Sequence, residues 1–400
     1  MNRRNDDFIH LCIFLFLMGY SALAATLLLR GNDQENVDAV PNTTGIVARS
    51  VVLELPSKEN NPRNSEGDFI RLRTGEILYV YTHYEGGTGT NKNVTTRLMS
   101  RVSKDQGRTW STQDKLVLGD KEIVNAASVS LLRLRDQSIA LFYSVKDSAG
   151  DCRPYLRYSY DEGKTWTRQI ETIVPPSYNV LNNSRATLLA DGRILLPVAR
   201  HAYLGGDLFN YESKGVLFCL ISDDGGRKWS QSSEVPNPNS LLCQEPGIVE
   251  LADGKLLMTI RTDQGRQYYS YSLDRGESWS LVKQSPLTSP QAPATIKRLP
   301  DSDYLVAVWD DSPYERNPLT IGILSPDGSK ILSKKILDRS GDEEIRSFCY
   351  PAIFFVDSSA LLTAYCSGRT SMGLDSSRIT LVGMQSLLED VSKLMSNPTL

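Results

Sequence analysis

Histidine is almost absent: His10, His83 and His201 are the only three in 400 residues. The six cysteines form no CxxC pair. A zinc site of Cys and His ligands needs several such residues at short, fixed spacing, so no metal or cofactor site is expected. An excess of one charge is also missing. Lys plus Arg is 44 and Asp plus Glu is 47, for a net charge of −3. That argues against a basic nucleic-acid binder and against an acidic disordered tail. No heptad pattern specifies an oligomeric state. What remains is an ordinary globular balance, 40% hydrophobic and 23% charged, in a chain long enough for a large core.

One segment breaks that balance. Phe8 to Leu29 carries no charged side chain, follows Arg3 and Arg4, and is followed by Arg30. About 20 apolar residues suffice to cross a bilayer. Ala22-Leu23-Ala24 is a small-residue pattern that a signal peptidase could cut. Residues 1–30 therefore read as an apolar helix serving as export signal or membrane anchor, and residues 31–45 as a polar linker. Export places five cysteines outside the cytoplasm: Cys152, Cys219, Cys243, Cys349 and Cys366. An odd number leaves at least one unpaired, and buried structural thiols are expected.

Two repeats interleave through the rest. The first is S-x-D-x-G-x-x-W, at Ser103–Trp110, Ser159–Trp166, Ser222–Trp229 and Ser272–Trp279, with a worn copy at Ser325–Ser329. Its aspartates are 56, 63, 50 and 53 residues apart. Asp accepts hydrogen bonds from the N–H groups of its own turn, Gly supplies a left-handed position, and Trp packs a large flat surface beside them. One carboxylate per turn is too few for calcium. The second repeat is an apolar hairpin with its turn near Thr74, Asp136, Asp191, Asp253, Asp301 and Asp357. Two hairpins per repeat make four strands, the unit of a propeller blade. The expected fold is all-β: a six-bladed β-propeller of four-stranded antiparallel blades over residues 46–390, with a tail at 391–400. Strands near Val51–Leu55 and Arg378–Met384 are expected to share one blade.

Strand parity then places residues on a rim. The starts of first strands and the ends of second strands lie opposite both sets of turns. Arg63, Asn125, Arg185, Glu245 and Tyr350 precede first strands. His83, Arg200, His201, Arg261, Asp310 and Asp311 end second strands, and Arg316 precedes a third. Clustered arginines hold a carboxylate or phosphate through paired N–H donors. Tyr has a free pKa of about 10 and needs a base such as Glu to act as a nucleophile. A sugar with a carboxylate on its anomeric carbon would repel a carboxylate nucleophile, and Tyr avoids that repulsion.

Gln244-Glu245-Pro246 running on to Arg261, Cys349-Tyr350-Pro351, Arg316 in ERNPLTIGIL and Arg63 in NPRNSEGDFI carry a family likeness. In these segments and in its four Asp boxes the chain resembles the exo-sialidase (neuraminidase) superfamily of Asp-box, or BNR-repeat, propellers, in its bacterial branch. The resemblance implies a Tyr350 nucleophile, Glu245 as its base, and Arg63, Arg261 and Arg316 on the substrate carboxylate. It implies a glycan substrate and no cofactor. The usual Arg-Ile-Pro around the first arginine here reads Arg63-Asn64-Ser65. The acid/base Asp of the family has no counterpart in the loop Gly86–Asn93, which carries no carboxylate. Asp68 is the candidate substitute, ahead of Glu66 and Glu85. The resulting reading is an exported, retaining, sialidase-like glycoside hydrolase. The alternatives are a non-catalytic carbohydrate-binding propeller and an enzyme for another acidic polysaccharide.

Overall fold

The computed structural model describes residues 45–86, 94–119, 125–148, 150–173, 177–205, 211–341, 345–369 and 375–396. The apolar segment Phe8–Leu29 and most of the loop after Gly86 lie outside the described residues. Among the described residues no helix is long and apolar enough to cross a membrane.

The predicted first hairpins are present. Asn64–Arg71 pairs with Ile77–Gly86, Ala126–Arg133 with Ile139–Lys146 and Thr187–Leu188 with Ile194–His201. Gln244–Glu250 pairs with Leu256–Arg261, Thr295–Arg298 with Leu305–Asp310, and Arg346–Phe355 with Ala360–Arg369. Turn carboxylates close several of them: Asp136, Asp191, Asp253 and Asp357 accept the N–H two residues on, at 2.8–3.1 Å.

Four of the sheets are four-stranded and antiparallel. The second and third repeats depart from the expectation. They join into one nine-stranded sheet because Tyr178–Val180 lies parallel to Cys152–Ser159, through Tyr178 and Cys152. The first strand of the fold, Arg49–Leu55, pairs with the last, Ser377–Gly383. Both termini of the repeat region therefore share a sheet, as the sequence led us to expect.

The Asp boxes are turns of one construction. Ser103 Oγ donates to Asp105 at 2.9 Å and accepts from Gly107 N at 2.8 Å. Asp105 accepts the Thr109 N–H at 2.8 Å and the Thr109 hydroxyl at 2.7 Å. Gly107 has φ +85°, and a Cβ there would stand 2.6 Å from Leu362 of the last sheet. Gly226 has φ +98°, and a Cβ would stand 2.5 Å from Leu156 in the preceding repeat. Glycine thus lets each turn lie against its neighbour's leucine, and in two boxes the indole closes the turn: Trp110 Nε1 donates to Gly107 O at 3.2 Å and Trp229 Nε1 to Gly226 O at 2.9 Å.

The core follows the same neighbour rule. Phe69, Tyr79 and Tyr81 of the first repeat pack with Ala352, Leu362 and Ile379 of the last. The other face of the first repeat, Ile70, Leu78 and Val80, packs with Leu131, Ile139 and Leu141 of the second. Leucine and isoleucine on both faces mean that each sheet is covered on both sides. Residues 385–396, assigned from the sequence to the end of the propeller and a tail, instead form a helix, Gln385–Ser396. It buries Leu387 and Val391, and Asp390 accepts an ion pair from Lys335 at 2.9 Å.

Hydrogen bonds from Thr109 and Thr165 hold the carboxyls of Asp105 and Asp161 down at about 2. A carboxyl depressed on folding contributes stability that is complete above its unfolded pKa of about 3.9 and is lost as pH falls through the folded value. We predict that Asp105→Asn with Asp161→Asn shows a smaller drop in urea midpoint between about pH 5 and about pH 2 than the parent. Equal drops would show that these turns are not coupled to global unfolding.

Candidate active site

The first strands share an irregularity at their upper ends. The ladder skips between Ser65 and Asp68, between Ala127 and Ser130, between Gln244 and Gly247, and between Cys349 and Ala352. A left-handed residue sits in each skip: Glu66 (φ 54°), Ser128 (61°), Glu245 (44°) and Tyr350 (55°). Ser184 (55°) occupies a corresponding place ahead of Thr187–Leu188. A bulge re-aims a side chain. A non-glycine residue at such φ costs of order 1–3 kcal/mol and persists only where the surroundings enforce it. Pro246, Pro351 and Gly67 follow three of these residues.

The surroundings are hydrogen bonds between repeats. Asn183 Nδ2 donates to Gly67 O at 3.1 Å and to Tyr350 O at 3.3 Å. Thr295 Oγ1 donates to Pro351 O at 2.5 Å and accepts from Arg185 Nη1 at 2.8 Å. The backbone at two of the bulges is thus tied to the third repeat.

The side chains so aimed meet. Tyr350 Oη donates to Glu245 Oε1 at 3.4 Å, and Arg261 Nη1 donates to Glu245 Oε2 at 2.5 Å. Arg261 lies beside Gln244 across the first hairpin of the fourth repeat. Tyr350, Glu245 and Arg261 are all buried. The guanidinium of Arg63 lies 5.9 Å from the centre of the Tyr350 ring and 5.0 Å from that of Tyr84. Arg316 is half-buried, donates to Gln291 O at 3.0 Å, and its own carbonyl accepts Phe348 N at 2.9 Å. That last bond ties it to the strand carrying Tyr350.

Electrostatics assign the resting forms. Burial pushes the Tyr350 phenol well above its ordinary value, Glu245 and Cys349 push it the same way, and Arg261 opposes them. Tyr350 is therefore a neutral phenol that needs a base, and among the described residues the carboxylate bonded to it is Glu245. Burial works against the Arg261 cation, but Glu245 and Tyr350 outweigh it, so the guanidinium stays charged. Burial likewise opposes Arg63, and Tyr84 and Glu66 outweigh it.

Four of the expected residues are gathered: Tyr350, Glu245 and Arg261 by hydrogen bonds, Arg63 by ring contact. Arg316 joins them through the backbone. Asp68 is placed elsewhere. It is 4% exposed, its Oδ2 accepts Leu131 N at 2.9 Å, and no hydrogen bond links it to Tyr350, Glu245 or the arginines. Glu85 pairs with Arg97 at 2.9 Å. Glu66 is the carboxylate beside Arg63, at 3.2 Å. Sequence reasoning passed over Asn183, and placed Asp310 on the rim without a role; burial pushes the Asp310 carboxyl well up against the pull of Arg316. Glu66, ranked behind Asp68, carried a usable signal: it stands nine residues before the turn Gly75, as Glu245 does before Gly254. Among the described residues no group of three or more His, Cys, Asp or Glu gathers for a metal. Cys152, Cys219, Cys243, Cys349 and Cys366 are free and buried.

A family model described as BNR repeat-like domain matches residues 81–361, well over half of the chain. The chain belongs to this BNR-repeat family. Solved structures agree on the fold. A Dyadobacter fermentans protein of unknown function is 20% identical, with a TM-score of 0.65, over 84% of this chain and 99% of its own. The Hadza microbial sialidase Hz136 is 16% identical, with a TM-score of 0.64, over 82% of this chain and 67% of its own. A leech intramolecular trans-sialidase, complexed with 2,7-anhydro-Neu5Ac, is 13% identical, with a TM-score of 0.67, over 85% and 71%. Among curated proteins none matches by sequence. The BNR-repeat chain thus has a sialidase-like fold.

In this protein Glu245 is the hub, since it bonds both Tyr350 and Arg261. Removing one partner of a buried ion pair leaves the other charge uncompensated, at roughly 3–5 kcal/mol. We predict that loss for Glu245→Gln in urea unfolding, and a smaller loss for Glu245→Leu combined with Arg261→Met. A single variant as stable as the parent would show that the pair is not desolvated.

Proposed function

We propose that this protein is an exported, sialidase-like glycoside hydrolase that releases a terminal carboxylate-bearing sugar with retention of configuration. The observation that carries the reading is the Tyr350–Glu245–Arg261 chain of hydrogen bonds, at 3.4 and 2.5 Å. Tyr350 Oη attacks the anomeric carbon while Glu245 takes its proton. A phenol brings no charge of its own to a centre that already carries a carboxylate. Arg261, Arg63 and Arg316 hold that carboxylate by charge-assisted hydrogen bonds. Arg261 also pairs with Glu245, the proton acceptor.

We further propose that the repeats close into a six-bladed ring. The packing of the first Asp box on Leu362, and of Phe69 on the last sheet, supports closure. The apolar segment Phe8–Leu29 supports export, with the segment either cut or kept as an anchor. Glycoconjugates are the expected partners.

One observation favours a second reading, a propeller that binds such sugars without cleaving them: the loop Gly86–Asn93 offers no carboxylate to protonate the leaving oxygen. A direct assay separates the two. Purified protein is incubated with an aryl α-sialoside and with sialyllactose, and free sialic acid is measured. Release from the aryl substrate is expected, with Tyr350→Phe slower by at least about 10²-fold, as for loss of a covalent nucleophile. Binding without release from either substrate would favour the second reading. Neither binding nor release would overturn both.

A further inference from the structure

We propose that Glu66 is the acid/base residue of this site, and that it is armed by the substrate's own carboxylate. This rests on the hydrolase reading above. Glu66 stands in the first-strand bulge of its repeat, the place held by Glu245 and Tyr350 in theirs, with the same left-handed φ. A third bulge side chain is therefore delivered to the rim on which the nucleophile and its base already meet.

The contacts agree. Glu66 Oε1 accepts from Arg63 Nη2 at 3.2 Å, Oε2 accepts from the Tyr84 hydroxyl at 3.3 Å, and the same Arg63 guanidinium lies 5.9 Å from the Tyr350 ring centre. Its side chain is 11% exposed, slightly more than those of Glu245 (9%) and Arg261 (4%). Of the competing carboxylates, Asp68 is 4% exposed with Oδ2 on Leu131 N, and Glu85 is paired with Arg97.

At rest, Glu66 is paired with the Arg63 guanidinium and accepts from the Tyr84 hydroxyl. Substrate changes the balance. A sugar carboxylate that takes the Arg63 guanidinium removes the cation from Glu66 and sets a second anion beside it. Losing an opposite charge and gaining a like one both favour the protonated carboxyl. The other groups facing Glu66 are Tyr350 and Cys366 of the last sheet, both buried and neutral at rest. The armed Glu66 gives its proton to the leaving oxygen as the bond from the anomeric carbon to that oxygen breaks and the bond to Tyr350 Oη forms. In the second half, ionised Glu66 takes a proton from water. The water oxygen bonds the anomeric carbon, the bond to Tyr350 Oη breaks, and Glu245 returns its proton to Tyr350.

Acid help matters in proportion to how poor the leaving group is, and is worth typically about 10²–10⁴-fold. The test compares the parent protein with Glu66→Gln on a series of aryl α-sialosides of graded phenol acidity and on sialyllactose. Glu66→Gln is expected to lose about 10²–10⁴-fold on sialyllactose and far less in the glycosylation step with the most acidic phenol, so that rate depends more steeply on leaving group. Azide, which attacks without a base, is expected to raise turnover of Glu66→Gln on the activated substrate and to give a glycosyl azide. Equal loss across the whole series without azide rescue, or undiminished cleavage of sialyllactose, would overturn the role of Glu66 while leaving the hydrolase reading intact. A parent protein that cleaves nothing would overturn the hydrolase reading, and this inference with it. Circular dichroism melting of Glu66→Gln, and of Glu66→Asp as the acid-retaining control, shows that both remain folded.

Discussion

Every sheet in this molecule has two apolar faces, and neither can be left to water. Leu256–Arg261, Leu305–Asp310 and Leu319–Leu324 are buried at every position. A sheet of that kind is stable only between two neighbours, so each repeat borrows half of its core from the repeat before and half from the one after. The Asp-box turns follow the same logic at the lower edge, where a glycine lets the turn settle on a neighbour's leucine. Burying aliphatic side chains on both faces, at roughly 25 cal/mol per Å² of apolar surface, makes the repeats mutually dependent rather than additive.

That dependence is what makes the bulges tolerable. Left-handed residues at Glu66, Ser128, Ser184, Glu245 and Tyr350 would relax in an isolated hairpin. Here the strands that carry them are clamped from both sides, and Asn183 and Thr295 fasten the backbone at two of the bulges to other repeats. The site then inherits its rigidity from the fold: Tyr350, Glu245 and Arg261 are aligned by strands from two sheets with no loop in between. Such placement on regular elements holds reacting groups to tighter tolerances than loops do.

Much of this was legible in the chain. Four Asp boxes and six turn-bearing apolar stretches carried the four-stranded repeats, because turn chemistry and strand alternation are local. Strand parity carried Tyr350, Glu245 and Arg261 to one rim for the same reason. What escaped was non-local. The parallel bridge from Tyr178 to Cys152 depends on how two repeats settle together. The helix Gln385–Ser396 has its apolar stripe defined by the strands it covers. Asp68 ranks ahead of Glu66 in the sequence by its place near the start of the first strand, read without the bulge. One extra residue in a strand exchanges its faces, turning Glu66 outward to the rim and Asp68 inward to Leu131.

The bulge separates address from message. Backbone geometry, set by neighbouring sheets, specifies where a rim side chain points, and that geometry is indifferent to whether the residue is Glu, Ser or Tyr, as the present chain shows. A single codon change at such an address can replace an acid with a hydroxyl or a phenol while the supporting architecture stays as it was. A scaffold of this kind lets the chemistry of its rim change with few mutations.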